Sequence, residues 1–189
     1  MDANGREYLL MNVFGKLGLP VKLVVSEEEI RDAFRKTAGE AHPDSGGSEA
    51  DFAAMQAAQE VLLSPARRLK AWLEVKGGEV DSRGMIDSGL MDLFQEVAEV
   101  GSVAEAAVKA KEKAQSALAK GMAEVSLMTA REKTATLLSK IGEGIAERVS
   151  RFPDIEVEKS FEFGAKVMRD LVFLEKWRGT LRGLYGRLM

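Results

Sequence analysis

Cysteine is absent from the sequence, and histidine occurs once, at His42. Without cysteine the chain forms no disulfide, thiolate metal site or cysteine nucleophile, which is typical of a protein from a reducing compartment. A single histidine leaves no histidine cluster to bind a metal ion. We therefore expect neither a metal site nor a cofactor.

Long hydrophobic runs are absent too, since nowhere do about 18 apolar residues follow one another. The first four residues are polar and acidic, unlike the start of a secretory signal peptide. We therefore expect neither a membrane span nor a signal peptide, and we predict a cytoplasmic protein with no membrane partner.

An excess of positive charge is also missing, because the formal net charge is −3 and the calculated pI is about 5.5. Such a balance gives no overall attraction to nucleic acid, which we do not expect as a partner. The lysines at positions 109, 111, 113 and 120 are spread around a predicted helix with glutamates nearby, as on a solvated helix face. With 189 residues, 46% hydrophobic and 30% charged, the chain has the composition of one ordinary or two small globular domains.

Helical periodicity begins near the N-terminus. Apolar residues recur at helical spacing from Glu7 to Leu17, and Gly18 predicts the end of this first helix. Residues 21–25 are apolar, but no second strand is indicated to pair with them, so we predict an extended connector. Ser26 and Glu29 form a capping box, which predicts the start of a second helix.

The second predicted helix has one apolar face and one basic face. Its buried face is predicted to comprise Ile30, Ala33, Phe34, Thr37 and Ala38. Arg31 and Arg35, four residues apart, share another face, with Lys36 beside them. Pro43 has no N–H to donate and disfavours a helical conformation before it, so the helix is expected to end at about His42.

Two more helices are predicted before a glycine-containing linker. Ser48 is a plausible cap for a third helix after the polar loop 42–47, and Ser64 followed by Pro65 predicts a further helix that ends at Gly77. No strand signal is found, so the first half is predicted to be a helical hairpin with flanking helices.

The second half is predicted to be a bundle of about three helices, which makes the whole chain all-α. Asp87 or Ser88 is expected to cap its first helix, and Ser102 with Glu105 forms a second capping box that predicts another helix start. The pattern leaves open whether residues 102–150 form one helix or two. Phe152 to Asp154 are predicted to form a turn before the last helix.

Some apolar residues of this bundle lie outside the predicted core stripes. Met91 and Phe94 add apolar surface beyond the stripe of their helix, and Phe173 lies about 100° from Leu174 on the last helix. Two interpretations stand side by side: a helix packed on two sides, or an exposed docking patch.

The order of elements in the first half resembles a J-domain: a short helix, a basic helix, the His42-Pro43-Asp44 loop and a third helix that ends in Leu62-Leu63-Ser64-Pro65. The resemblance implies that residues 1–76 dock on a DnaK-type heat-shock chaperone and stimulate its ATP hydrolysis. The implied contact residues are Arg31, Arg35, Lys36, His42, Pro43 and Asp44. Ser45, Glu40 and Ala41 differ from the commonest residues of the family.

The second half extends the resemblance to the HscB family of iron–sulfur co-chaperones. Leu17-Gly18-Leu19-Pro20, Leu90-Met91-Asp92 and the segment 169–176 resemble that family in the same order, while the region between Gly101 and Ile155 is longer here. The resemblance implies a linker at 77–86 and a client-binding bundle at 87–189. It also implies an HscA-type chaperone partner and the iron–sulfur scaffold protein as the client, bound through Leu90, Met91, Phe94 and Phe173.

Three functional hypotheses follow. The first is an HscB-like co-chaperone that stimulates its chaperone and delivers the scaffold protein. The second keeps the J-domain but gives the bundle another client or a role in self-association, because Gln95 and Ala98 stand where the family has acidic residues. The third is an enzyme, in which His42 acts as an acid or base; Asp44 is the only carboxylate of the same loop, and no other partner is identified. We therefore expect a non-catalytic protein.

Overall fold

The structure is a computed structural model that describes residues 12–41, 48–77, 84 and 86–189. These residues contain helices and no strand, which confirms the all-α prediction. The helices are α1 (Val13–Lys16), α2 (Glu27–Ala41), α3 (Glu49–Leu63), α4 (Pro65–Lys76), α5 (Gly89–Lys113), α6 (Ala117–Val149), α7 (Phe152–Glu158) and α8 (Phe161–Leu188).

The chain groups into two compact units. Unit 1 comprises Met1–Gly84 together with Val149–Arg169, and unit 2 comprises Met85–Arg148 together with Asp170–Met189. The segment 149–169 thus belongs with the N-terminal residues, whereas the predicted bundle included it. The boundaries 1–76, 77–86 and 87–189 stay a prediction.

Unit 1 begins with the short helix α1. The Asn12 side chain accepts a hydrogen bond from the backbone N–H of Gly15 at 2.9 Å, and the helix ends before Gly18, whose φ is +65°. A left-handed φ costs glycine little because it has no Cβ, so Gly18 stops the helix as predicted. The predicted start at Glu7 lies outside the described residues. Residues 21–25, predicted to be a connector, form neither a helix nor a strand.

Helix α2 begins at the predicted capping box. The backbone N–H of Glu29 donates to the Ser26 hydroxyl at 3.1 Å, and the N–H of Ser26 donates to the Glu29 carboxylate at 2.7 Å. Two N–H groups that the first helical turn leaves unpaired are thereby satisfied. The α2 face that carries Ile30 and Ala38 is buried, and Phe34 meets Phe52 of α3 with ring centroids 6.2 Å apart. The helical hairpin α2–α3 follows from these contacts.

Helix α4 and segment 149–169 share one core. The Trp72 ring lies 6.1 Å from that of Phe161 at the start of α8, and a Cβ on Gly164 would stand 3.1 Å from Leu73. Arg68, which is buried, donates to the Val25 carbonyl at 2.6 Å and lies over the Phe152 ring. These contacts explain why a segment far along the chain belongs to unit 1.

Unit 2 is built from α5, most of α6 and residues 170–188 of α8. Its first helix corrects the sequence analysis: Ser102 does not start a helix, because α5 runs unbroken from Gly89 to Lys113. A buried cluster of small and branched side chains holds the helix together beyond that point: Ala104, Ala107, Val108, Leu127, Ala130 and Leu188. This packing outweighs the roughly 1 kcal/mol that an internal glycine such as Gly101 costs.

The question whether residues 102–150 form one helix or two is answered by a break between α5 and α6. Helix α5 ends at Lys113, and Ser116 accepts a hydrogen bond from the N–H of Ala119 at 3.1 Å at the start of α6. Residues 102–149 therefore belong to two helices. Gly142 and Gly144 do not interrupt α6, which continues to Val149. A second correction concerns Phe152 to Asp154, which begin the short helix α7, where proline is tolerated in the first turn.

Candidate binding surfaces

The basic face of α2 is exposed, as its sequence predicts. Arg31 pairs with Glu27 at 2.8 Å, and Arg35 pairs with Asp32; the two arginine side chains remain 57% and 74% exposed. Exposed pairs of this kind are worth at most about 1 kcal/mol, so a partner displaces them at little cost. Lys36 is exposed on the same helix. This face offers cationic, hydrogen-bond-donating groups to an anionic partner surface.

The loop that follows α2 carries the other predicted contact residues. His42, Pro43 and Asp44, together with Ser45, lie outside the described residues. The chain leaves α2 at Ala41 and enters α3 after Ser48, whose hydroxyl accepts a hydrogen bond from the N–H of Asp51 at 3.0 Å. The position of Ser48 as the cap of α3 is therefore as predicted.

Unit 2 carries an exposed aromatic patch. Met91 and Phe94 on α5 are 55% and 53% exposed, and Phe173 on α8 is 37% exposed. The Trp177 ring lies between the two phenylalanines, 6.1 Å from Phe94 and 5.8 Å from Phe173. We call Met91, Phe94, Phe173 and Trp177 the aromatic patch.

The fourth predicted client residue has a different position. Leu90 is only 3% exposed and packs in the core of unit 2. Its side chain is therefore part of the core and does not belong to the exposed surface.

A buried ionic cluster fixes the start of α5. Asp170 of α8, which is buried, accepts a hydrogen bond from the N–H of Asp87 at 3.0 Å, and Arg148 of α6 approaches the other oxygen of Asp170 at 3.6 Å. The Asp87 carboxylate in turn accepts from the N–H of Gly89 at 2.9 Å. Asp87 therefore caps α5, one of the two predicted candidates, and Ser88 makes no side-chain cap.

The surroundings of the patch are less acidic than the family pattern implies. Gln95 and Ala98 are exposed on α5, and Glu96 is engaged in an ion pair with Lys140 of α6. Glu99 supplies an exposed carboxylate further along the helix. A client would thus meet an apolar surface bordered mainly by neutral groups on this side.

Sequence reasoning missed Trp177 and the ionic cluster. Trp177 is four residues after Phe173, a spacing that makes two side chains neighbours on one helix, so their proximity was predictable. Arg148 and Asp170 carry no local signal, because their pairing depends on the packing of α6 against α8. Among the described residues, no helix has the length and apolar character that a membrane span requires.

Comparisons with known proteins match the N-terminal part of the chain to a family and most of the chain to a solved structure. Residues 12–70 match the family model described as the DnaJ domain, which is the J-domain. No curated protein matches the chain. The structure is similar to that of the chaperone HscB from Vibrio cholerae, with a TM-score of 0.64 and 19% identity, over 95% of this chain and 100% of that one. Residues 12–70 are therefore similar to a J-domain, and the chain has an HscB-like fold.

Proposed function

We propose that this protein stimulates ATP hydrolysis by a DnaK- or HscA-type heat-shock chaperone and delivers a client to it, the iron–sulfur cluster scaffold protein. The observation that supports the first part is the DnaJ-domain match over residues 12–70, which includes the exposed basic face of α2. The client rests on the aromatic patch and on the likeness to HscB in fold.

The contact with the chaperone is proposed to be small and steered by charge. Arg31, Arg35 and Lys36 would face carboxylates of the partner, and the His42-Pro43-Asp44 loop would dock beside them. Opposite charges across such a contact accelerate association, and salt weakens the effect because exposed charges are screened within about 8–10 Å. The protein itself contributes no catalysis in this scheme; the chaperone holds the ATP.

The test of chaperone stimulation is single-turnover ATP hydrolysis by a DnaK-type chaperone with and without the full chain. We expect faster hydrolysis with the intact protein and loss of the effect with His42→Gln. Arg35→Ala should raise the concentration needed for half-maximal stimulation roughly two- to fivefold. Arg67→Ala on α4 removes an exposed arginine outside the proposed contact and serves as the matched control. An unchanged hydrolysis rate with the intact protein would contradict the proposal.

The client is proposed to cover the aromatic patch. Large, partly exposed aromatic and methionine side chains are the groups that most often anchor protein interfaces. Trp177 is already buried beneath Phe94 and Phe173, so the two rings are held in position before a client arrives. Such preorganisation lowers the entropic cost of binding.

The client test uses the full chain, because residues 149–169 belong to unit 1 and a fragment that begins after the linker would lose the contacts they make there. Binding of the purified scaffold protein is measured by calorimetry for the parent and for Phe94→Ser. We expect at least about tenfold weaker binding for the variant, a typical effect of an interface anchor. Val157→Ser removes an exposed apolar side chain from α7, far from the patch in sequence, and should bind like the parent.

A second candidate function keeps the J-domain and assigns the aromatic patch to another protein client. It is favoured by Gln95 and Ala98, which leave the edge of the patch neutral. If the scaffold protein does not bind while chaperone stimulation persists, this second function replaces the first. Substrate turnover by the isolated protein that is lost in His42→Ala would contradict both and indicate an enzyme.

A further inference from the structure

The first half of α6 exposes an apolar stripe that neither the chaperone contact nor the aromatic patch uses. Leu118, Met122, Val125 and Met128 are 65–76% exposed, more than any residue of the aromatic patch. Leu118, Met122 and Val125 follow one another at spacings of four and three, so they lie along one side of the helix. The buried residues of the same helix, including Ala123 and Leu127, lie on the other side. The stripe is therefore not an edge of the core.

Next to this stripe, α5 and α6 form an apolar groove. The groove has a volume of about 460 Å³ and is lined by small and apolar groups of both helices: Val103, Ala106, Ala107, Ala110, Val125, Ser126 and Thr129. Alanines at these positions leave room that longer side chains from elsewhere would fill, in the way that knobs enter holes. Thr129 also lines a second groove further along the helices, whose charged groups are three glutamates and two lysines: Glu96, Glu99, Glu132, Lys133 and Lys140. The apolar groove thus continues into a charged groove that has one carboxylate in excess.

The two ends of the α5–α6 hairpin carry net charges of opposite sign. Residues 109–124 at the tip have four lysines and two glutamates, whereas the rest of the hairpin, residues 89–105 and 125–148, has seven carboxylates and four cations. The tip, with Lys109, Lys111, Lys113 and Lys120, thus has a net charge of +2, and the other end has a net charge of −3. A surface with a basic end and an acidic end complements a copy of itself that runs in the opposite direction.

We propose that a second copy of this chain covers the stripe, with the two α6 helices antiparallel about a two-fold axis near Val125. At a rise of 1.5 Å per residue, Lys120 lies about 8 Å from Val125 on one side and Glu132 about 11 Å on the other. The axis therefore brings the basic tip of each copy towards the glutamate-bearing groove of its partner. Met122 of one copy then lies at the level of Met128 of the other, beside the alanine-lined groove.

The apolar area available is sufficient for a reversible dimer. Four such exposed side chains with their neighbours present on the order of 500 Å² per copy, within the range of the largest apolar patches of monomeric proteins. Two copies then bury about 1,000 Å², which is the lower limit for a specific interface. We expect dimerisation at micromolar concentrations, independent of any client.

The first test is sedimentation of the full chain across a concentration series. The parent should pass from monomer to dimer, and Met122→Glu should raise the dissociation constant by about tenfold or more, because the two-fold axis makes each substitution count twice. Ala146→Glu adds the same charge at an exposed position of α6 outside the stripe and should dimerise like the parent. Added salt should weaken the dimer, because the opposed ends attract each other through exposed charges.

The second test introduces one cysteine into a chain that has none. Any intermolecular disulfide that forms then identifies the position at which the two copies meet. Val125→Cys near the axis should form an intermolecular disulfide under mild oxidation, while Ala146→Cys should not. A chain that stays monomeric at tens of micromolar overturns the proposal. So does a dimer that Met122→Glu leaves intact and Val125→Cys does not crosslink, since the two copies would then meet elsewhere.

Discussion

At the scale of single residues, the same motif has two different outcomes in this chain. Ser26 and Glu29 form a reciprocal capping box at the start of α2, whereas Ser102 and Glu105 have the same spacing inside α5 and cap nothing. The difference is the state of the preceding backbone, which is extended before Ser26 and helical before Ser102. A capping motif acts only where the chain is free to leave the helix.

The two serines should therefore respond oppositely to alanine. Ser26→Ala removes the acceptor for the N–H of Glu29 and should lower the free energy of unfolding by about 1 kcal/mol. Ser102→Ala, its matched control, replaces an exposed residue inside a helix by a better helix former and should raise stability by up to roughly 0.5 kcal/mol. Urea denaturation measures both. Equal losses for the two variants would contradict the structural distinction.

The capping box also predicts a dependence on pH. The pKa of Glu29 is lowered, first by the backbone hydrogen bond from Ser26 and then by the Ser26 hydroxyl. A carboxyl with a depressed folded pKa stabilises the protein above its unfolded value and loses that contribution as pH falls through the folded value. Glu29→Gln should therefore be less stable than the parent at neutral pH, and the difference should shrink at about pH 3. A difference that is constant with pH, measured by thermal unfolding, would contradict this role.

At the scale of elements, local signals determine the starts of three helices in unit 1. The beginnings of α2, α3 and α4 are marked by Ser26, Ser48 and Ser64, whose hydroxyls accept from the first turn. Their positions were predictable because the bond partners are three residues away in sequence. The length of α5 was not, because it depends on contacts with α6 and α8.

The same contrast separates the parts of the candidate surfaces. Arg31 and Arg35 are recognisable from spacing on one helix, and Phe94 and Phe173 from their positions off the core stripes. Their proximity through Trp177 joins α5 to α8, and no pattern within either helix encodes it. Long-range pairing is the part that the sequence alone does not supply.

Close packing of α8 in unit 1 gives a prediction at this scale. A Cβ on Gly164 would stand 3.1 Å from a methyl of Leu73 and 3.2 Å from one of Ile155, while nothing lies within 4 Å of a Cβ on Gly179 of the same helix. Alanine gains up to about 1 kcal/mol in helix propensity at either site, but overpacking a core costs roughly 1–3 kcal/mol. Gly164→Ala should destabilise the protein and Gly179→Ala should stabilise it, as measured by thermal unfolding. If Gly164→Ala stabilised the protein, Leu73 and Ile155 would have moved aside at little cost in free energy, and the prediction would be wrong.

The ionic cluster of unit 2 should behave as a coupled pair. Asp170→Asn keeps an oxygen for the N–H of Asp87 but leaves Arg148, whose side chain is 16% exposed, without its buried carboxylate. Glu147 and Asp87 still lie 2.8 and 3.9 Å from the Arg148 guanidinium, so we expect a moderate loss of about 1–2 kcal/mol from the missing buried carboxylate. Adding Arg148→Met to that variant should recover part of the loss, and a double-mutant cycle measures the coupling. Strict additivity of the two substitutions would contradict a direct interaction.

At the scale of the whole molecule, the two proposed contacts belong to different compact units. Arg35 is in unit 1, and Phe94 is in unit 2. The chain links the units more than once, since α6 and α8 contribute residues to both. Each proposed contact can therefore be altered by substitutions within its own unit.

This division predicts that substitutions at the two surfaces act independently. Arg35→Ala should weaken stimulation of the chaperone roughly two- to fivefold without changing client affinity, and Phe94→Ser should weaken client affinity at least about tenfold without changing stimulation measured in the absence of client. The double variant should then show each single effect unchanged, because substitutions that share no partner contribute additively. Stimulation and client binding are measured on the same four proteins, with Arg67→Ala and Val157→Ser as controls. A client affinity that changes with Arg35→Ala would mean that the two units communicate, and the model of independent contacts would fail.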